Sequence, residues 1–315
     1  MNMKTLVLEE MPDLFWQEIK KRDIGKFFFR ELTSSLIPEI LIIRTKSKIT
    51  SEILAGYPNL KLIIRAGSGY DNVDIQTARE LGIRVCSTPL ANGSAAFEHT
   101  VALIFSLIKH LNTANNAVRN GIWKTGLPES LEIRDLRILI IGVGLIGTLI
   151  GRYFTAWGAQ VRGVDPYLGE KDWKRKGIQN IDIKSGLAWC NTVTFHCPLT
   201  HETSGLFSQE LLGFVPKPIW LINTARGGLL CDGALIEGLK SGIIRGMAID
   251  VYEDEPPGNK IWFDPTRVIL TPHSASHTDA AKHRLVKETI EVWEKFRTDG
   301  EVLHEVDYRF FNKFE

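Results

Sequence analysis

Three stretches of this 315-residue sequence run apolar and then end in groups that can move a proton or hold an anion. Trp220-Leu221-Ile222 leads into Asn223-Thr224-Ala225-Arg226-Gly227-Gly228. Met247-Ala248-Ile249 leads into Asp250 and then Glu253-Asp254-Glu255-Pro256, and Val268-Ile269-Leu270 into Thr271-Pro272-His273. If the three runs are parallel strands, their carboxyl ends deliver an Arg, a carboxylate and a His to one rim, where open α/β sheets bind ligands. That set suits hydride transfer at the carbon of a 2-hydroxy acid. The guanidinium binds the acid's carboxylate and polarises the oxo group. The imidazole takes the hydroxyl proton, and the carboxylate orients the imidazole and favours its cation. By residue type alone the carboxylate is Glu253, Asp254 or Glu255. Singly, each group has an ordinary explanation, a surface Arg or a hydrogen-bonded loop His; the joint placement carries the inference. His273 and His277 lie four apart with no clear third ligand, so no metal is expected.

A hydride needs a carrier, and Arg137-Ile138-Leu139-Ile140-Ile141-Gly142-Val143-Gly144-Leu145-Ile146-Gly147 supplies the pattern of a dinucleotide site. The apolar run reads as a strand buried on both faces, and Thr148 to Trp157 has helical spacing. In the G-x-G-x-x-G between them, Gly142 makes the tight turn and Gly144 lets the backbone approach a pyrophosphate. Gly147 lets helix and strand pack closely, and unpaired N–H groups at the helix start face the phosphates. A second strand, Ala159 to Val164, ends in Asp165, 18 residues past Gly147 and near the ~20 expected for an acid on a ribose 2′-OH. A carboxylate there repels a 2′-phosphate, and Pro166 and Tyr167 follow it rather than an Arg. The expected coenzyme is NAD.

The length predicts about two domains. With 44% hydrophobic and 24% charged residues the composition is that of a soluble globular protein, and a formal charge of +1 gives no reason to expect nucleic acid or membrane partners. Cys86, Cys190, Cys197 and Cys231 lie far apart, as reduced thiols of a cytoplasmic protein do. No secretory signal and no transmembrane-length apolar run is present, so a cytoplasmic location is expected.

Residues 1–92 alternate strands (Lys4–Leu8, Glu39–Arg44, Lys61–Ala66, Ile83–Cys86) with helices such as Ile75–Leu81, which implies a parallel sheet. The turn Ala66-Gly67-Ser68-Gly69-Tyr70-Asp71-Asn72-Val73-Asp74 lacks G-x-G-x-x-G spacing and offers backbone N–H groups to a small anion instead. Thr88-Pro89 reads as a break, Ala91-Asn92-Gly93-Ser94 as a hinge, and Ala95 to about Asn116 as one long apolar helix. Residues 117–136, with Trp123, are irregular, a mark of function or an interface. Further strands are expected near Thr192–His196, Ile219–Asn223, Gly246–Val251 and Val268–Leu270, and a last helix over 278–297 that returns to the first domain.

The chain resembles the D-isomer-specific 2-hydroxyacid dehydrogenases. The likeness runs in order through Arg65-Ala66-Gly67, Asp71-Asn72-Val73-Asp74, Thr88-Pro89, Glu98-His99-Thr100 and Gly142–Gly147. It continues through Asp165-Pro166-Tyr167, His196-Cys197-Pro198-Leu199-Thr200, Asn223–Gly227, Asp250–Pro256 and Thr271-Pro272-His273. The resemblance implies Arg226, Glu255 and His273 as the catalytic trio, with Glu255 chosen because the family's Glu directly precedes a Pro. It implies a coenzyme site of Gly142, Gly144, Leu145, Ile146, Gly147, Asp165, Pro166, Cys197, Pro198, Thr203, Thr224, Ala225 and Asp250, the last meeting the nicotinamide carboxamide. Substrate binding falls to Arg44, Ser68, Gly69 and Asn92. The implied fold is a Rossmann-type doubly wound parallel sheet for the NAD-binding domain (93–276) and a smaller flavodoxin-like α/β substrate domain (1–92 with 277–315). A homodimer through the helix near 95–116 and the segment after it would explain Trp123.

Within the family the motifs are most similar to phosphoglycerate dehydrogenases, and Lys46 and Lys48 beside Arg44 could meet a phosphate as point charges. The sequence leaves no room for the regulatory C-terminal domain some of those enzymes carry, so amino-acid feedback through it is not expected. Tyr70 and Ser274-Ala275-Ser276 depart from the family pattern. A glyoxylate or hydroxypyruvate reductase is the alternative on the same scaffold. From another class, an NAD(H)-sensing binding protein like the C-terminal binding protein corepressors shares fold and trio, but no added peptide-binding segment is present.

Overall fold

The computed structural model describes residues 3–22, 26–29, 37–258 and 266–308. Two compact units divide the chain, Met1–Ser94 with His277–Glu315, and Ala95–Ser276. In chain order the first unit contains β1 (Lys4–Val7), α1 (Asp13–Arg22), β2 (Lys26–Phe29), β3 (Ile40–Ile43), α2 (Ser51–Ala55), β4 (Leu62–Arg65), α3 (Ile75–Glu80) and β5 (Arg84–Ser87). Then follow α4 (Pro89–Ile108), α5 (Leu111–Arg119), β6 (Arg137–Ile141), α6 (Leu145–Ala156), β7 (Gln160–Val164), α7 (Glu170–Lys176), β8 (Gln179–Asn180) and α8 (Ile183–Trp189). The chain continues with β9 (Thr192–Phe195), α9 (Gln209–Leu212), β10 (Ile219–Asn223), α10 (Asp232–Ser241), β11 (Ile244–Ile249), β12 (Val268–Leu270) and α11 (Asp279–Asp299).

Among the described residues the first unit's sheet has the order β2-β1-β3-β4-β5 and the second unit's β12-β11-β10-β9-β6-β7-β8, with every pair parallel. Parallel strands need crossovers, and the crossover helices cover both faces. That is why Ile-Leu-Ile-Ile of β3 and Ile-Trp-Leu-Ile-Asn of β10 are buried at every position instead of alternating. In the second unit one core layer packs Leu187, Leu211 and Leu235 against Leu139, Val193 and Leu221. The opposite layer packs Ile104, Ile108, Ile150 and Phe154 against Ile138, Ile140 and Ile222. In the first unit Phe15, Trp293 and Val286 lie on one face, Leu54 and Ala78 on the other. The Trp293 indole donates to Thr5 Oγ1 at 2.9 Å, fastening α11 to β1. Side-chain caps at Asp74, Asp182 and Thr278 accept the N3 amides of α3, α8 and α11, each worth about 1 kcal/mol.

Three local expectations are corrected. The supposed hinge Ala91–Ser94 lies inside α4, which begins at Pro89. A Pro in the first helical turn lacks only an N–H that has no intrahelical acceptor, so it starts the helix rather than breaking the chain. The single helix to Asn116 is two: His110 takes the left-handed region at φ 53° and separates α4 from α5. Strand β2, unforeseen, adds to the sheet edge beside β1. No helix among the described residues is long and apolar enough to cross a membrane.

Candidate active site

Strand β6 runs into Gly142 at φ +89°, where a Cβ would lie 2.5 Å from the Cys197 amide nitrogen and 2.7 Å from the His196 carbonyl carbon. Only glycine lets the chain turn there against the loop that leaves β9. A Cβ on Gly147 would sit 2.2 Å from the Gly142 carbonyl oxygen, so this glycine seats α6 on the turn. Gly144, the cap of α6, has open space on its Cβ side. The amides of Leu145, Ile146 and Gly147 begin the helix with no acceptor among the described residues. Open space and free amides at the positive end of a twelve-residue helix fit a diphosphate.

Asp165 closes β7 and is wired to the turn. Its Oδ2 accepts from the Val143 amide at 3.0 Å and its Oδ1 from Tyr167 at 3.1 Å. One lone pair remains on each oxygen for a ribose hydroxyl. Pro166 beside it is exposed. On the other side of β6, burial holds the His196 imidazole down to about 3, so it is neutral and shares a hydrogen with Thr194 Oγ1 at 2.9 Å. Burial pushes the Cys197 thiol up to about 12, which leaves it un-ionised near neutral pH. Thr203 Oγ1 donates to the Pro198 carbonyl at 2.7 Å and accepts from the Thr200 amide at 2.8 Å, bracing the loop after Pro198. The Thr224 hydroxyl is turned to Thr100 Oγ1, 2.9 Å away on α4.

The three strand-end groups leave β10, β11 and β12, which are neighbours in that order. Buried Asn223 shapes the first turn: its Oδ1 accepts from the Ala225 amide at 3.0 Å and its Nδ2 donates to the Arg226 carbonyl at 2.8 Å. Arg226 Nη1 donates to the Ala225 carbonyl at 2.7 Å. Gly227 follows with its backbone pressed on Tyr252 and Glu253, where a Cβ would be 2.0 Å from the Tyr252 carbonyl carbon. Glu255 Oε1 accepts from the Tyr252 amide at 3.1 Å, and Oε2 lies 2.7 Å from His273 Nδ1. An ionised carboxylate only accepts, so Nδ1 carries the hydrogen and Nε2 is the ring's basic nitrogen. About a third of each of these two side chains is open to solvent, within reach of a substrate.

His273 itself is left-handed, φ 49°, a conformation that costs a non-glycine residue on the order of 1 kcal/mol. Asp250 holds it there. The Asp250 carbonyl accepts the His273 amide at 2.8 Å. Asp250 Oδ1 accepts from Thr271 Oγ1 at 2.5 Å and the Ser274 amide at 2.9 Å, and Oδ2 accepts the Ala275 amide at 3.0 Å. His99 Nε2 lies 3.4 Å from Oδ1 and 3.1 Å from Thr271 Oγ1. Burial alone would raise the Asp250 carboxyl, but the donors His99, Thr271, Ser274 and Ala275 outweigh it and hold the group below the usual range. The residue has no exposed surface. Asp250 shapes the turn that aims His273. The Tyr252 phenol adds a bond to the Thr271 carbonyl at 3.0 Å, and burial, then Asp250 and Glu255, push it up to about 12. His99, Thr271 and Tyr252 were not anticipated in these roles, although each falls within a quoted motif: Glu98-His99-Thr100, Thr271-Pro272-His273 and Asp250–Pro256.

The remaining predicted residues lie in the first unit. Ser68 and Gly69, half-buried after β4, have amides with no acceptor among the described residues. The neighbouring Gly67 is pinned by Thr88 through a 2.6 Å amide-to-hydroxyl bond. Asn92 is half-buried within α4. Arg44 follows β3, and its Nη1 donates to the Glu10 carbonyl at 3.0 Å. Beneath it the Glu9 carboxylate accepts the amides of Arg44, Lys46 and Ser47 at 2.8–3.0 Å. Burial would raise that carboxyl, but the Lys46, Ser47 and Arg44 amides hold it below the usual range. Among the described residues no cluster of His, Cys, Asp or Glu is placed to hold a metal ion.

Residues 101–275 match the family described as D-isomer specific 2-hydroxyacid dehydrogenase, NAD binding domain. The chain is 35% identical over 253 residues to D-3-phosphoglycerate dehydrogenase of Bacillus subtilis, a stretch that covers 80% of this chain and 48% of that protein. It spans about half the length of the curated relatives it matches. Its fold is similar to that of a Pyrococcus horikoshii protein, with TM-score 0.88 and 27% identity over 98% of this chain and 96% of the other. It is also similar to Aquifex aeolicus D-lactate dehydrogenase, solved with NAD and lactic acid, with TM-score 0.85 and 26% identity over 96% of this chain and all of that one. The family match covers more than half of the sequence and falls on the unit that carries both the glycine turn and the paired His273 and Glu255. This chain belongs to the D-isomer specific 2-hydroxyacid dehydrogenase family.

Proposed function

We propose that the protein is an NAD-dependent D-2-hydroxyacid dehydrogenase that oxidises 3-phospho-D-glycerate to 3-phosphohydroxypyruvate. The observation that carries the reaction is the 2.7 Å pairing of His273 Nδ1 with Glu255, at strand ends beside that of Arg226. When bound, NAD would supply the hydride acceptor; the amides of Leu145, Ile146 and Gly147 would hold its diphosphate, and Asp165 its ribose. His273 Nε2 takes the hydroxyl proton while Glu255 keeps the ring oriented and stabilises the cation. Arg226 holds the acid's carboxylate, and in the first unit the amides of Ser68 and Gly69 offer an anion seat. That unit is assigned to substrate binding.

The choice of acid rests on relatives named D-3-phosphoglycerate dehydrogenase at 31–35% identity. One observation favours a second reading, a glyoxylate or hydroxypyruvate reductase. The amides of Arg44, Lys46 and Ser47 are already occupied by Glu9, and the Arg44 guanidinium by Glu10. A loop so filled suits an acid without a phosphate. Steady-state assays of 3-phosphoglycerate, glyoxylate, hydroxypyruvate and lactate with NAD(H) and NADP(H) decide between them; no turnover of 3-phosphoglycerate above background removes the first. His273→Asn lowers kcat by ~10²–10⁴ with the best acid. A homodimer is supported by the apolar surface of Leu111, Val118 and Ile122 and by Trp123, 72% exposed; light scattering on the purified protein measures it.

A further inference from the structure

Tyr167 and Glu202 meet across the coenzyme turn. Tyr167 lies two residues past Asp165 on the loop after β7, and Glu202 on the loop after β9. In the sheet β6 stands between those strands, so the two loops start roughly 9–10 Å apart. The Tyr167 phenol nevertheless donates to Glu202 Oε2 at 2.6 Å. The contact therefore spans the carboxyl end of β6, where Gly142-Val143-Gly144 turns and where a dinucleotide lies in a sheet of this kind.

Both loop bases are fixed. Asp165 holds the Tyr167 and Val143 amides, and Gly142 is pressed on Cys197. Thr203 ties the Pro198 carbonyl to the Thr200 amide. The crossing itself is made by two side chains, one half-buried and one exposed, on loops that connect elements instead of belonging to them. A side-chain contact of this sort can break without disturbing the turn below it.

We propose that the Tyr167–Glu202 hydrogen bond is a strap over the coenzyme crevice that parts each time NAD or NADH passes to or from the glycine turn. It rests on the coenzyme seat and not on the identity of the acid. While the strap is closed in the free protein only the open fraction admits coenzyme, so the observed association rate is reduced by that fraction. Closed over bound coenzyme, it slows departure in the same proportion.

The test is stopped-flow binding of NADH to the full-length protein with no acid present, followed by quenching of tryptophan fluorescence. Tyr167→Phe keeps the ring and removes the donor; Glu202→Ala removes the acceptor. In each variant both the association and the dissociation rate constants rise by roughly two- to tenfold, the range a partly exposed hydrogen bond to a charged group supports, and Kd moves far less than either rate. The double variant gains no further rate, since one bond is lost in all three. Unchanged rate constants in Tyr167→Phe overturn the strap. So does a rise in dissociation alone, which would make the pair a simple contact to the ligand. Absence of any NADH signal with the unmodified protein removes the seat itself, and the strap with it. Catalytic turnover enters none of these readouts.

Discussion

Gly227→Ala probes whether the proposed catalytic groups are held to one another by backbone contact. The glycine directly follows Arg226, and a Cβ built on it lies 2.0 Å from the Tyr252 carbonyl carbon, 2.3 Å from the Glu253 nitrogen and 2.4 Å from the Tyr252 oxygen. Ordinary contact begins at 3.4 Å, so the two segments must separate by about 1.4 Å. All three obstructing atoms are backbone, and no rotamer change relieves them. Tyr252 donates its amide to Glu255, which in turn holds His273, so the displacement passes to the acid and base while Arg226 stays with its own strand. Misplacement by 1 Å costs about 10²-fold in rate. The expected result is a fall of about 10²-fold or more in kcat/KM on the best acid, with overpacking destabilising the fold by ~1–3 kcal/mol. NADH affinity, measured by fluorescence titration, stays within about threefold because the glycine turn and Asp165 are untouched. A variant with kcat/KM within threefold of the unmodified enzyme would refute the idea that Gly227 sets the spacing between Arg226 and the Glu255–His273 pair.

Two further predictions concern pH. Burial raises the Glu288 carboxyl, against the Leu90 amide and His304, and its Oε2 is buried with no hydrogen-bond partner among the described residues. A raised acid binds its proton more tightly folded than unfolded, so its contribution is full below the ordinary carboxylate range and is lost as pH rises through the folded value. Glu288→Gln therefore shifts the urea midpoint upward more at pH 8 than at pH 4, and equal shifts at both would contradict the assignment. His196, held at about 3 by burial, works in the opposite direction: its stability is present above the unfolded value near 6.5 and lost as pH falls toward 3. His196→Asn flattens that acid limb in denaturation curves, by at most about 5 kcal/mol across the window.

The features legible in the sequence are those in which one local pattern has one physical meaning. Buried parallel strands show as unbroken apolar runs, so β6 and β10 were placed to within a residue. Gly142 and Gly147 are required by approaches of 2.5 and 2.2 Å, which no other residue type allows. Strand ends meeting at one rim brought His273 to a carboxylate, and the resemblance to a family whose Glu directly precedes a Pro singled out Glu255. Other features depend on long-range partners. Asp250 is ordinary in sequence, and its four donors come from positions as far away as His99. The occupation of the Arg44–Ser47 amides by Glu9 joins residues some 35 apart. Pro89 illustrates a different ambiguity, since a proline that ends one helix also begins another, and only the packed structure shows which. Strand β2 is an edge, and Lys-Phe-Phe-Phe carries no alternation to announce it.

Trp293 and Thr5, joined by a hydrogen bond, are 288 positions apart. The unit they close is therefore interrupted in sequence by Ala95–Ser276, which is itself continuous. On the ribosome the inserted unit emerges whole while β1 still lacks the helix that covers it. Synthesis thus imposes an order on maturation: the nucleotide fold can assemble first, and the apolar face around Phe15 stays exposed to chaperones and proteases until α11 arrives.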